Sequence, residues 1–255
     1  MCIVKVVMID KSLLNKYSVY HIEETSNEKF IIKQQVELST ERGLDFFPFS
    51  NCIKISGSYL NISNNNFRNF ESFPELDVCS IYAHQNKIET LEGLNVSDSL
   101  SMINLNKNNL TNLKNCPHVV TLNIESNSLA DLNNLPISVK NLNLNSNNSE
   151  LDLDSINKNI TQIDSLHISH IKNLIHKNKK IEIKERLVAY NTNVNFNNFV
   201  FHKKATIFVH IDQFYTNSSL FDLFLKNNEL FQGFSHEDRE KLKIECKKHS
   251  ILKGL

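Results

Sequence analysis

The segment Leu122-Asn123-Ile124-Glu125-Ser126-Asn127-Ser128-Leu129 carries a frame that recurs along the chain: two aliphatic residues at alternate positions, an asparagine, and a further apolar residue. The frame is repeated around Asn65, Asn86, Asn108 and Asn147, although the last lacks its final apolar residue. Successive asparagines are about 20 residues apart. Alternate aliphatic residues indicate a short strand with one buried face. A unit of this length cannot bury that face alone, so the spacing predicts repeats stacked into a solenoid with a parallel sheet.

The asparagines of this frame are interpreted as a structural ladder, and not as a binding site. Each stands where the chain turns out of its strand, and a side-chain amide both donates and accepts hydrogen bonds. It can therefore satisfy backbone groups that the turn leaves unpaired inside the coil. Three later frames are degenerate, because Ile171, Thr192 and Asp212 stand at the asparagine position.

The frame resembles the leucine-rich repeat. Residues 78–94 are similar to the short class of about 22 residues, which is found in a phosphatase regulator and in bacterial internalins. Residues 135–147, with Leu-Pro ahead of the strand, are similar to repeats of secreted bacterial effectors. The resemblance implies an α/β solenoid with its parallel sheet on the concave face, and a function in binding. Those effectors that are ubiquitin ligases carry a large catalytic domain after the repeats. Only about forty residues follow the repeats here, so that activity is not expected.

The chain is expected to form one extended domain in three segments. Residues 51–214 hold about eight repeats, of which the last three are degenerate. Residues 1–50 are interpreted as a β-rich N-terminal cap, with a small independent binding module as the alternative. Residues 215–255 are interpreted as a helical C-terminal cap. The runs behind the two caps are Ile3–Ile9, Tyr17–Ile22 and Phe30–Leu38 as β-rich segments, and Leu220–Phe231 and His236–His249 as helices, the second with Ser235 as its N-cap.

Composition argues for an intracellular protein that does not contact nucleic acid directly. The 255 residues contain 28 basic and 28 acidic side chains, so the formal net charge is zero. Proteins that bind phosphates of nucleic acids usually carry a basic excess. The 5 cysteines are far apart and odd in number, which is unlike a secreted disulfide framework. The apolar start of the chain is too short for a membrane span and lacks a signal-peptide pattern. A cytoplasmic location is therefore expected, in a host cell if the protein is a translocated effector or viral.

No catalytic motif stands out, so we expect neither an enzyme nor a cofactor. The chain has no phosphate-binding glycine loop, no nucleophile elbow and no His-Glu-x-x-His motif. It does contain 10 histidines. His167 and His210 are expected on strands two rungs apart, about 10 Å from each other, which is too far for ligands of one zinc ion. The histidines are interpreted as surface residues, and no metal site is expected.

The outer face of the sheet is the candidate binding surface. The residue inside each aliphatic pair and the next outward position form two columns on this face, with asparagines such as Asn104 and Asn143 in the middle and aromatic residues towards the ends. Aromatic side chains are enriched in binding hot spots. The alternative is that Val188 and Phe208 are covered by the C-terminal helices. The candidate partner-binding residues are Tyr82, His84, Glu125, His167, His170, Tyr190, Phe208 and His210.

These observations favour a protein-protein interaction module, either an adaptor or a host-directed effector, that acts by binding alone. The Asn- and Lys-rich composition without Trp suggests an AT-rich genome, such as that of an intracellular bacterium or a large virus. A second class is a repeat protein associated with ribonucleoprotein, which would bind an RNA-binding partner. The third alternative is binding through the N-terminal β-rich region.

Overall fold

The computed structural model describes residues 11–25, 29–39, 43–147, 150–231 and 233–252. The predicted strand at residues 3–9 lies outside these ranges. The chain divides into two compact units, Met1–Asn123 and Ile124–Leu255. Both are built as parallel β-solenoid and together contain about eight turns.

The described part of the first unit opens with a short helix and continues as strands. This helix was not predicted. It lies directly before the run from Tyr17 that was expected to be β. Leu14 and Tyr17 lie three residues apart and are both buried, which suits one face of a helix. Ser18, with φ of 53°, ends the helical turn, and extended structure begins only at Ile22. The elements of this unit are α1 (Lys11–Lys16), β1 (Ile22–Glu24), β2 (Phe30–Ile32), β3 (Val36–Glu37), β4 (Cys52–Asn61), β5 (Glu75–Tyr82), β6 (Met102–Asn104) and β7 (Thr121–Asn123).

The predicted parallel pairing of the repeat strands is confirmed in this unit. Leu60 of β4 lies opposite Ile81 of β5, Ile81 lies opposite Ile103 of β6, and Ile103 lies opposite Leu122 of β7. All four side chains are fully buried. Val36 of β3 lies opposite Leu60 in the same register, so this parallel register extends one strand before the first strand of the asparagine frame. β1 and β2 pair antiparallel.

The second unit repeats the pattern through the degenerate frames. Leu142 lies opposite Leu166, Leu166 opposite Leu187, and Leu187 opposite Ile207, all in parallel pairs. A second parallel pair, formed by Glu150–Asp152 and Asn173–Ile175, lies apart from the main sheet. The elements are β8 (Asn141–Asn143), β9 (Glu150–Asp152), β10 (Gln162–His167), β11 (Asn173–Ile175), β12 (Ile181–Val188), β13 (Phe199–Phe201), β14 (Thr206–Phe208), α2 (Ser218–Lys226) and α3 (His236–Leu252). Short 3-10 turns lie at Leu153–Ser155, Phe196–Asn198, Ile211–Tyr215 and Asn228–Leu230.

The end of the second unit is packed around phenylalanines. The ring of Phe214 lies 5.5 Å from that of Phe224 in α2 and 5.6 Å from that of Phe231, and all three are buried. The helix predicted to reach Phe231 ends at Lys226, because Asn227 leaves the helical conformation and a 3-10 turn follows. At the start of α3 the Ser235 hydroxyl accepts a hydrogen bond from the Asp238 backbone N–H at 3.1 Å.

Candidate functional site

The side-chain amides of the asparagine frame hold the turns that end each strand. The amide of Asn86 donates to the carbonyls of Ile62 (2.9 Å) and Ala83 (3.1 Å), and its oxygen accepts from the backbone N–H of Phe67 (3.1 Å). Asn108 makes the same set one turn further along. In the second unit Asn147 donates to Ile124 and Leu144. The five frame asparagines, Asn65, Asn86, Asn108, Asn127 and Asn147, are all buried.

Different residues take over this role in the last turns. The hydroxyl of Thr192 donates to the Ile168 carbonyl at 2.5 Å and accepts from the Ile171 N–H at 3.3 Å. One turn later the bonds are made by Gln213, whose amide donates to the Ala189 carbonyl at 2.8 Å. The assignment of Asp212 to this position was therefore wrong: Asp212 is exposed, and the longer Gln213 reaches the carbonyl from one residue further along.

The outward columns of the first unit carry a polar and aromatic surface. Tyr82 is half-buried, and its ring lies 6.0 Å from that of Tyr59, edge to face. His84 is also half-buried, with Nδ1 2.9 Å from the Ser63 hydroxyl. Burial, helped by nearby Lys107, lowers the pKa of His84. Ser63 was expected to face outward in the same column as His84, but it is fully buried. This part of the column therefore exposes less surface for a partner than expected.

In the second unit the outward columns begin with Glu125, Asn143 and His167, in successive repeats before the aromatic residues. The Glu125 carboxylate accepts from the Asn143 amide at 3.0 Å. Asn143 lies opposite His167 on the next strand. His167 is half-buried; burial and the charge of Arg186 lower its pKa, while Glu125 opposes them.

Arg186 and Phe208 lie on β12 and β14, and Tyr190 and His210 follow two residues beyond the ends of these strands. The rings of Tyr190 and His210 are 5.4 Å apart, edge to face. The Arg186 guanidinium lies over the Phe208 ring, 5.5 Å from its centroid. We name these four residues, Arg186, Tyr190, Phe208 and His210, the aromatic face. Phe208 and Val188 both keep part of their surface exposed, so neither is fully buried.

The structure differs from the sequence interpretation at two residues. His170 belongs to the turn rather than to the strand: it has a φ of 61°, is exposed, and its Nδ1 lies 3.4 Å from the Asn191 amide nitrogen. Arg186 was missed. Its signal was available, because it directly precedes the buried Leu187 and the alternation of a strand therefore turns it outward.

Two described thiols and one described carboxylate have strongly shifted pKa values. Burial raises the pKa of Cys116 to about 12 and that of Cys52 to about 11, which keeps both thiols protonated. Asp77 has its pKa lowered to about 2 by hydrogen bonds from Ser97 and Ser99 and by Lys54, so it remains a carboxylate. Within the described ranges, no group of three or more metal-ligating side chains converges. No helix in the same ranges is long and apolar enough to cross a membrane.

Comparison with known proteins gives no relative for this chain: no family model, no curated protein and no solved structure matches it significantly.

Proposed function

We propose that the chain is a leucine-rich-repeat protein that acts without catalysis, and that it binds a partner protein through the aromatic face of the second unit. The observation that carries the proposal is that Arg186 and Phe208 lie on the adjacent parallel strands β12 and β14, with Tyr190 and His210 two residues beyond the ends of these strands. The four side chains are in contact in two pairs.

The repeat class is supported by the turn chemistry. The residue before each frame position has a left-handed conformation, as at Gln85 (φ 55°), Lys107 (φ 54°) and Ser146 (φ 54°). The buried amide that follows bonds the backbone of its own turn and of the turn before it. A frame of aliphatic residues and asparagine that repeats with this bonding is typical of leucine-rich repeats.

The terminal segments fit the role of caps. A solenoid needs its ends covered, because an open end exposes core side chains and an unpaired strand edge. Phe231 forms a parallel bridge with Ile207 of β14, the last strand, and Phe224 of α2 packs on Phe231 at 5.3 Å. At the other end β1 and β2 pair beside β4.

The aromatic face has the chemistry of a protein-binding hot spot. Tyrosine and arginine are enriched among residues that dominate binding energy, and flat rings lose little entropy when they are immobilised. Here the rings are already packed against neighbours on a sheet, so binding would require little ordering. A stable interface buries about 800 Å² on each partner. It would therefore extend from the aromatic face back over His167 and Asn143 towards Glu125.

The test is a selection of binding peptides from a random display library with the full chain, followed by measurement of their affinity for variants. The double variant Tyr190→Ala with His210→Ala is expected to lose the selected peptides, with about a 100-fold or greater loss of affinity. Its thermal unfolding should stay close to that of the original protein. The matched control is Tyr82→Ala, which removes a comparable half-buried ring from the first unit and should leave affinity unchanged.

Peptides that bind the double variant as well as the original chain would contradict the proposal. If the same peptides are lost on deletion of residues 1–50, the N-terminal region is the binding module.

A further inference from the structure

Arg186 is a basic side chain on the outer sheet face that is left without an acidic partner. It is exposed, and within the described ranges it takes part in no ion pair. Its neighbour two residues earlier differs, because Lys184 pairs with Glu182 at 2.8 Å. Glu185, adjacent in sequence, makes no ion pair with Arg186. The Glu125 carboxylate on the same face is engaged by the Asn143 amide.

A bulge in β12 lies directly before Arg186. Ile183 lies opposite Ile163, but Arg186 lies opposite Ser165, so β12 has one more residue than β10 between these pairs. The Thr206 hydroxyl of β14 donates to the Glu185 carbonyl at 3.1 Å, which satisfies the backbone there. Bulges re-aim side chains and are frequent beside functional sites.

The guanidinium of Arg186 is held in position by a ring. It lies over Phe208, one strand away, which restrains the side chain and leaves the edge of the guanidinium free. A guanidinium presents paired N–H donors that match the two oxygens of a carboxylate. Phe208 and the nearby Tyr190 remain partly exposed and can accept an apolar side chain.

From charge complementarity we infer that the partner on the aromatic face is a protein segment carrying an aspartate or glutamate side chain, which pairs with Arg186 while a neighbouring apolar side chain of the same segment packs on Phe208 and Tyr190. This inference rests on the proposed function, because it names the partner chemistry of that same face.

The experiment uses peptides selected from the random display library with the full chain. Selection is expected to enrich Asp or Glu beside an apolar residue. Arg186→Gln should weaken the selected peptides by about 10- to 100-fold, because a hydrogen bond to a charged group is lost. Replacing the peptide carboxylate by its amide, Asp to Asn or Glu to Gln, should weaken binding to the original chain by a similar factor and have little further effect on Arg186→Gln. The matched control is Lys203→Gln, which removes an exposed charge in the connection between β13 and β14 and should not change affinity.

Two further arms identify the source of the carboxylate and its electrostatic character. Peptides with an amidated C-terminus should bind as well as free ones, since the side chain and not the chain end supplies the charge. Affinity should fall as salt is raised, because an exposed ion pair is screened.

Two results would overturn this inference and leave the proposed function standing. In both, peptide binding requires Tyr190 and His210; in one it persists without the peptide's own carboxylate, and in the other it persists in Arg186→Gln. Dependence on the C-terminal carboxylate alone would also overturn it. Peptides that ignore the whole aromatic face would overturn both.

Discussion

The frame asparagines, which lie in the turns after the repeat strands, bond backbone groups that would otherwise be buried without partners. Asn108 donates to the carbonyls of Ala83 and Leu105, both at 2.9 Å, and accepts from the Ile88 N–H at the same distance. The residue before it, Lys107, has a positive φ, which is uncommon for a residue with a side chain. The turn is therefore a strained conformation that the buried amide holds in place.

Asn108→Ala is expected to lower the free energy of unfolding by about 1–3 kcal/mol, because it leaves buried carbonyl and N–H groups unsatisfied. Asn104→Ala is the matched control. Asn104 lies outward on the same repeat, and its side-chain oxygen accepts from the Asn106 N–H at 3.1 Å, so loss of this side chain should cost about 0.5 kcal/mol or less. Urea denaturation of the two variants measures the difference. Equal losses would mean that the buried amide is not what holds the turn.

His176 is a buried histidine whose protonation state is set by its neighbours. It is 4% exposed, and its ring lies 4.6 Å from that of Phe199. Nε2 lies 2.7 Å from the Lys179 carbonyl, which can only accept, so Nε2 carries the proton. Nδ1 has no partner in the described part of the chain. Burial lowers the pKa of His176, and the Lys179 carbonyl and Asp154 oppose this only in part.

A histidine whose pKa is lower in the folded than in the unfolded state destabilises the fold as pH falls. Between about pH 6.5 and the lower pKa of the folded state, this histidine is protonated in the unfolded chain but neutral in the folded chain. His176→Leu should therefore make the unfolding free energy less dependent on pH below about 6.5, by up to about 1.4 kcal/mol per pH unit. Urea denaturation at a series of pH values measures this slope.

Phe199→Leu is the control for the His176 experiment. It disturbs the same packing but leaves the imidazole in place, so stability should fall at every pH while the slope persists. An unchanged slope in His176→Leu would show that His176 does not contribute to the pH dependence.

Neighbouring chain approaches β4 closely at Gly57. β2 and β3 both pair with β4, at Ile55 and at Leu60, and the chain between them crosses over Gly57. A Cβ on Gly57 would stand 2.5 Å from the carbonyl carbon and oxygen of Gln34. The Gln34 side chain in turn accepts from the backbone N–H of Tyr20 at 2.8 Å and so holds the segment that precedes β1.

Gly57→Ala should lower the free energy of unfolding by about 1–3 kcal/mol, because backbone atoms must move to admit one methyl group. Amide hydrogen exchange should show the loss of protection concentrated in β2 and β3. Ser58→Ala, at the exposed next residue, should change stability by about 0.5 kcal/mol or less. If the two variants are equally stable, the crossing at Gly57 is looser than the geometry indicates.

Over the whole molecule, opposite charges balance. With 28 basic and 28 acidic residues the formal net charge is zero at pH 7, and 10 histidines can add positive charge as pH falls. Proteins near zero net charge associate more readily than charged ones.

We therefore expect the solubility of the folded chain to be lowest near pH 7 and to rise as the pH is lowered towards 6, where histidines begin to gain protons. Precipitation by polyethylene glycol at each pH, with circular dichroism to verify folding, measures this. A folded protein that precipitates more readily at pH 6 than at pH 7 would contradict the expectation.

The amino-acid sequence by itself determined the parallel strands, because the alternation of aliphatic residues is a local property that sends side chains such as Leu142 and Leu166 to the same face. It also placed the asparagine at the turn. Only the tertiary structure decided that Gln213 replaces Asp212 in the last turn and that the Arg186 guanidinium lies over Phe208. Both depend on which carbonyl or ring of a neighbouring turn comes within reach of a long side chain, and that distance is set by the stacking of turns about 20 residues apart in sequence.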